Sequence, residues 1–112
     1  MQTFIHALAD LSGVSPGALR DPALLGGLLI AAAGALGVAT AAPPTIRQHA
    51  GDSVSGVLLL DGCHIAVHTM PLQGVLMLDV LAPDTRDVRK AIEVFSRRLA
   101  PRAIAQEERA RG

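Results

Sequence analysis

The run Ser55-Gly56-Val57-Leu58-Leu59-Leu60-Asp61-Gly62-Cys63-His64-Ile65-Ala66-Val67-His68-Thr69-Met70-Pro71 decides how the chain is read. Val54 to Asp61 and His64 to Met70 are apolar runs of strand length, broken at Gly62-Cys63, where a glycine permits a turn or bulge. The run holds the chain's only cysteine and two of its four histidines. A thiol directly after glycine, at a break between strands, is poised for backbone chemistry, although a lone cysteine is also a small buried hydrophobe. Strand alternation puts His64 and His68 on one face about 13 Å apart, at ~3.3 Å per residue, too far to share a metal ion. No metal site is therefore expected. The same alternation puts Cys63 on the face opposite His68.

Outward from this run the remaining elements follow. Gln2 to Leu11 reads as a strand, with Thr3, Ile5, Ala7 and Ala9 on one face, and Ser12 to Arg20 as a polar connection. Asp21-Pro22 opens a helix, carboxylate at the cap and proline at the first helical position, that runs to about Leu36. A short strand is expected near Val38, then strands over Thr45 to Ala50 and Gly74 to Leu81. Asp84 or Thr85 caps a last helix whose stripe is Val88, Ala91, Ile92, Phe95 and Leu99, with Arg97 and Arg98 near its negative end. Pro101 stops it, and Ala103 to Ala105 forms an edge strand before a charged tail.

These elements predict one α+β domain over residues 1–112, a two-layer α/β sandwich of order β-α-β-β-β-β-α-β. A mostly antiparallel sheet carries two helices on one face. Leu58 and Leu60 point one way from their strand and Val57 and Leu59 the other, so both faces are apolar. Two helices shield only one of them. The other is expected to meet a second copy of the chain, which predicts a homodimer. Asp79, inside an apolar strand, needs a partner or solvent.

Composition narrows the function classes. At 50% hydrophobic residues the chain is no disordered protein, and Lys+Arg and Asp+Glu balance at 10 each. With 2% aromatics it has no stacking platforms, so a nucleic-acid partner is not expected. The single cysteine suits a reducing compartment, and Met1 to His6 lacks the pattern of a signal peptide, giving a cytoplasmic expectation. Pro22 to Thr45 carries no charge and approaches the ~20 residues that span a bilayer. Gly34, Gly37 and Pro43-Pro44 interrupt it, so it reads as a buried helix and no membrane partner is expected.

The chain resembles the prokaryotic S-adenosylmethionine decarboxylase proenzymes. Their pattern of Ser-Gly-Val and a hydrophobic run, then Glu-Ser-His, His-Thr-Trp-Pro-Glu and an Asp-Val-Phe-x-Cys strand, is matched by Ser55-Gly56-Val57, Gly62-Cys63-His64, His68-Thr69-Met70-Pro71-Leu72 and Asp79-Val80-Leu81-Ala82-Pro83. Asp21-Pro22-Ala23-Leu24-Leu25 is similar to the family's Asp-Asp-Pro-Glu-Leu-Leu helix start.

The resemblance implies a chemistry. The family's serine attacks the preceding carbonyl, the chain is cut by elimination, and the new N-terminus becomes a pyruvoyl group that serves as an electron sink. By resemblance the precursor is Cys63, the cut falls between residues 62 and 63, and Ser55 and His68 take part in processing, His68 as the acid/base. His49 corresponds most nearly to an aromatic that stacks on the substrate's adenine, and His64 is a further substrate-side candidate.

Departures fall on the same positions. The precursor serine is Cys63, the preceding Glu is Gly62, the ribose-binding Glu is Leu72, the Trp is Met70, and the proton-donor cysteine is Pro83. A thiol still performs the first step, through a thioester. Three readings follow. One is a pyruvoyl-dependent S-adenosylmethionine decarboxylase of spermidine biosynthesis. Another is a related decarboxylase of a smaller amino acid, ornithine or arginine. The third is a non-catalytic dimeric homologue that stays uncut.

Overall fold

The computed structural model describes residues 3–112. Its elements are β1 (Phe4–Ser12), α1 (Pro16–Leu19), α2 (Pro22–Leu36), β2 (Thr45–Gln48), β3 (Val54–Leu59), β4 (His64–Met70), β5 (Val75–Pro83), α3 (Val88–Leu99) and β6 (Ala103–Arg111). The strands form one six-stranded sheet of order β2-β3-β4-β5-β1-β6, with every neighbouring pair antiparallel. The helices pack on one face, which gives the α+β sandwich expected. The expected start of β1 at Gln2 lies outside the described residues.

Alternation along the strands separates the two faces. Ala7, Ala9 and Leu11 of β1, Val54 and Leu58 of β3, Ile65 and Val67 of β4, and Leu76, Leu78, Val80 and Ala82 of β5 are all buried beneath the helices. From α2 they meet Leu25, Leu28, Leu29, Ala32, Ala33 and Leu36, and from α3 the predicted stripe Val88, Ala91, Ile92, Phe95 and Leu99. Gly56 lets α2 approach closely, because a Cβ there would lie 2.8 Å from Ile46 Cδ1 and 3.0 Å from Leu29 Cδ1. Thr69 is the polar residue among these buried positions. Its hydroxyl donates to Leu19 O (2.8 Å) and accepts from Val54 N (2.9 Å), tying α1 to the sheet.

Several local expectations are corrected. The connection before α2 contains the one-turn helix α1, so three helices cover the sheet rather than two. The strand expected near Val38 is a single bridge between Thr40 and Leu60, because the segment touches the sheet only where β3 ends. α2 is capped as predicted, with Asp21 accepting from Leu24 N at 3.1 Å and Gly37 closing the far end at φ 72°. It is not buried all round: Ile30 is 53% exposed on its outer side.

The cap of α3 is Asp87, not Asp84 or Thr85, since Asp87 Oδ1 accepts from Arg89 N at 3.0 Å. The charged tail is strand throughout: β6 pairs with β1 from Ala103–Ser12 to Arg111–Phe4. Its charges hid it, yet an edge strand bathed in water tolerates charge on both sides and is protected by it from further pairing. Among the described residues, no helix is long and apolar enough to cross a membrane.

Candidate functional site

The uncovered face of the sheet gathers the chain's polar chemistry. Antiparallel register sets Ser55 of β3 directly across from His68 of β4, and Arg47 of β2 across from Ser55. Ser55 Oγ lies 2.7 Å from His68 Nδ1 and 2.8 Å from His49 Nε2. One hydroxyl therefore joins two imidazoles, in a row that runs from the β2–β3 loop across β3 to β4. His49 is held by the β2–β3 hairpin loop, where its N donates to Ser53 O (2.8 Å) and its carbonyl accepts from Asp52 N (3.0 Å).

A second row crosses the middle of the same face. Asp79 of β5 accepts from His6 Nε2 of β1, and His64 Nε2 of β4 stands 3.8 Å from the same carboxylate oxygen. Arg111 Nη1 of β6 reaches His6 Nδ1 at 3.3 Å. A ring that accepts at Nδ1 carries its proton on Nε2, which is the nitrogen facing Asp79. The partner that Asp79 needs is thus a pair of histidines. His6 was missed in the sequence. The signal was present in the alternation: His6 falls on the opposite face from Ala7 and Ala9, the same side as Asp79 once β1 pairs with β5.

Cys63 directly precedes His64 of the second row but lies on the other face of the sheet. It ends the β3–β4 connection, whose Gly62 takes φ 79°, and Leu60 N donates to Cys63 O at 2.8 Å. Its side chain is buried on the covered face, 5% exposed, as alternation predicted. The thiol stands 3.9 Å from Asp61 O. Burial, and then the neighbouring Asp61 charge, pushes the thiol pKa up, so the thiol form is favoured. Five residue steps separate Cys63 from His68, roughly 16 Å at ~3.3 Å each. The structure brings Ser55, His68 and His49 together, and does not bring Cys63 to them within one chain.

The positions of the departures can now be placed. Pro83 ends β5 opposite Phe4, at the Cys63 end of the sheet, because His64 pairs with Leu81 two residues earlier. Leu72 sits in the β4–β5 turn and is 86% exposed. Between the two polar rows runs a groove of about 520 Å³, lined by Leu8, Asp10, Ala66, His68, Met77 and Asp79 among others. That is small-molecule size, with apolar walls and a few convergent polar groups. Among the described residues no cluster of three His, Cys, Asp or Glu side chains is placed to hold a metal ion.

Comparison with known proteins gives two findings. The sequence model of the S-adenosylmethionine decarboxylase family matches residues 5–112. The fold is similar to the crystal structure of the adenosylmethionine decarboxylase from Aquifex aeolicus VF5, with a TM-score of 0.89 and 26% sequence identity. That likeness covers 99% of this chain and 92% of the other. No curated protein matches the chain.

Proposed function

This chain belongs to the S-adenosylmethionine decarboxylase family, and on that premise we propose a self-processing, pyruvoyl-dependent decarboxylase of spermidine biosynthesis, cut between Gly62 and Cys63. The observation that carries the reading is the hydrogen-bonded Ser55–His68 pair, 2.7 Å apart. These are the two positions the family uses in processing, joined across the same hairpin that carries residue 63.

Residue 63 fits as the precursor. Generating a pyruvoyl group requires a side chain with a leaving group on Cβ, and Cys63 supplies one. The space beside Gly62 is open, with nothing within 4 Å of where a Cβ would stand. Attack of the Cys63 sulfur on the Gly62 carbonyl carbon breaks the amide and forms a thioester, the nitrogen leaving as an amine. Loss of the Cys63 Cα proton then breaks the Cβ–S bond. The sulfur stays on Gly62 as a thiocarboxylate, whose hydrolysis releases sulfide, and hydrolysis at residue 63 releases ammonia. A pyruvoyl group there supplies an electron sink for loss of carbon dioxide from an amine-bearing acid.

The rest of the work belongs to this chain's own residues. His68, held by Ser55, accepts and returns a proton at Nε2, the ring nitrogen left free. The groove between the polar rows receives the substrate, its apolar wall formed by Leu8, Ala66 and Met77.

The distance between Cys63 and His68 supports a homodimer. Val57, Leu59, Leu8 and Met77 are 39–56% exposed on the uncovered face, an apolar surface that a second sheet would bury. Two-fold packing of these faces about an axis across the strands would bring the Ser55–His68 end of one chain toward the Cys63 end of its partner. The balanced net charge agrees with this reading, and a cytoplasmic location is part of the proposal.

A second reading is favoured by one observation. The Cys63 thiol points into the core and is held protonated, and Pro83 has no ionisable group at the family's proton-donor position. An uncut, non-catalytic dimer fits both facts. Intact mass separates the readings: the proposal expects two fragments parting before residue 63, the second blocked to Edman degradation, in a particle that sediments as a dimer. A single species of full mass that stays whole on ageing would remove the decarboxylase reading. If the chain is cut, carbon dioxide release from S-adenosylmethionine against ornithine and arginine assigns the substrate.

A further inference from the structure

His49 is the member of the Ser55 row whose geometry points away from the role that resemblance gives it. A ring that stacks on a substrate needs its faces free and makes no demand on its nitrogens. Here His49 Nε2 is engaged 2.8 Å from Ser55 Oγ, and Ser55 Oγ is engaged in turn 2.7 Å from His68 Nδ1. The serine hydroxyl has one proton to give. If it donates to His49, then His68 must present N–H at Nδ1. If it donates to His68, His49 must present N–H at Nε2. The two rings cannot both accept from it, so at least one presents N–H to Ser55 Oγ.

The loop behind His49 is built to hold it there. Between His49 and Ser53 the chain closes two backbone hydrogen bonds by placing Gly51 at φ 81° and Asp52 at φ 68°. Asp52 is one of two non-glycine residues with positive φ among those described, a conformation L-residues adopt seldom and at a cost. The charged groups on the same face are Arg47 of β2, Asp10 of β1, Asp79 of β5, and Glu107, Arg109 and Arg111 of β6. None of these makes a hydrogen bond to His49, Ser55 or His68 among the described residues.

We propose that His49 is a positioning residue: through the Ser55 hydroxyl it keeps the His68 proton on Nδ1 and leaves His68 Nε2 free to act as base. Ser55 donates to His49 Nε2, and His68 Nδ1 donates to Ser55 Oγ. When His68 takes a proton on Nε2, its Nδ1–H bond to Ser55 is already formed, so no group has to turn. The functional consequence rests on the self-processing reading, but the hydrogen-bonded row does not.

Two substitutions separate positioning from stacking. His49→Phe keeps an aromatic ring and removes the hydrogen bond, while His49→Gln keeps an acceptor at similar reach and removes the ring. In the full-length Cys63→Ala chain, which cannot be cut at a thiol, ¹⁵N shifts of labelled histidine at pH 8 report the His68 tautomer. The proposal expects Nδ1–H in the parent, a mixture after His49→Phe, and Nδ1–H again after His49→Gln. In the Cys63 chain, His49→Phe is expected to slow cleavage about tenfold, the effect of one lost hydrogen bond, and His49→Gln to restore most of that rate.

A His68 that carries its proton on Nε2, or whose shifts ignore His49→Phe, overturns the proposal. So does cleavage that ignores both substitutions while the cut chain's KM for S-adenosylmethionine tolerates Phe and suffers from Gln, the pattern of a stacking ring. If the Cys63 chain is never cut, the self-processing reading fails instead, and the tautomer measurement alone decides the role of His49.

Discussion

One face of the sheet is covered by helices and the other is not, and the two carry different kinds of residue. On the covered face successive inward positions are Ala, Val, Leu, Ile and Gly, and the buried polar residue, Thr69, has both its hydrogen bonds made. On the open face all four histidines line up with Ser55 and Asp79, between half-exposed Leu8, Val57, Leu59 and Met77. A two-residue period suffices to divide them. Stability is the business of one parity and proton chemistry of the other, so a residue can change on the open face without asking anything of the core. Cys63 is the exception. It stands at the proposed precursor position but packs with the covered face.

The division is tested most severely by truncation on each side. Phe95 is fully buried between α3 and the sheet, and Phe95→Ala is expected to cost about 3–5 kcal/mol of unfolding free energy. Ser55→Ala, on the open face, should stay within about 0.5 kcal/mol of the parent, yet slow cleavage by about 10²-fold or more by releasing His68. Urea unfolding and intact mass on the same two proteins make the comparison. If Ser55→Ala unfolds as readily as Phe95→Ala, the open face is holding the fold and the two parities are not separate.

The covered face was legible because burial writes itself into the sequence at fixed intervals. The stripe of α3 and the alternation of β3 and β4 follow from periodicity, and the Asp21-Pro22 helix start from capping chemistry. What escaped has physical reasons too. β6 has no buried residue, so no hydrophobic period marks it; its pairing with β1 is a long-range fact. The cap at Asp87 competes with Asp84 and Thr85 within four residues, and only the loop geometry chooses. On the open face, Ser55 and His68 were found through resemblance, whereas His6 and the role of His49 depend on strand order and hairpin geometry. Neither can be read from local spacing.

A smaller effect probes how tightly the covered face is closed. A methyl group at Gly56 would meet Ile46 and Leu29 at or below 3.0 Å and Val67 Cγ2 at 3.3 Å. Gly56→Ala should therefore destabilise by about 1–3 kcal/mol, as overpacking does. Gly34, on the outer side of α2, has nothing within 4 Å of such a methyl. There the same substitution should stabilise by about 0.5–1 kcal/mol, since glycine in a helix interior is unfavourable relative to alanine. Opposite signs in thermal melts are the expected result. Equal signs would mean that α2 does not sit as closely on β3 as Gly56 requires.

The mildest test concerns the residue that crosses the division. Burial raises the Cys63 pKa above its ordinary value, with the Asp61 charge adding to it, so the folded chain holds this proton more tightly than the unfolded chain. The stabilising contribution is present below the ordinary thiol pKa and is lost as pH rises through the higher folded value. Alkylation by iodoacetamide reads the same property, because only the thiolate reacts. At pH 8 the native chain should react more slowly than the chain in urea, and its rate should rise to higher pH before levelling. Equal rates at pH 8 would place the thiol in water, on neither side of the division. The distance argument for a second copy would then weaken, because a mobile Cys63 could reach Ser55 and His68 of its own chain.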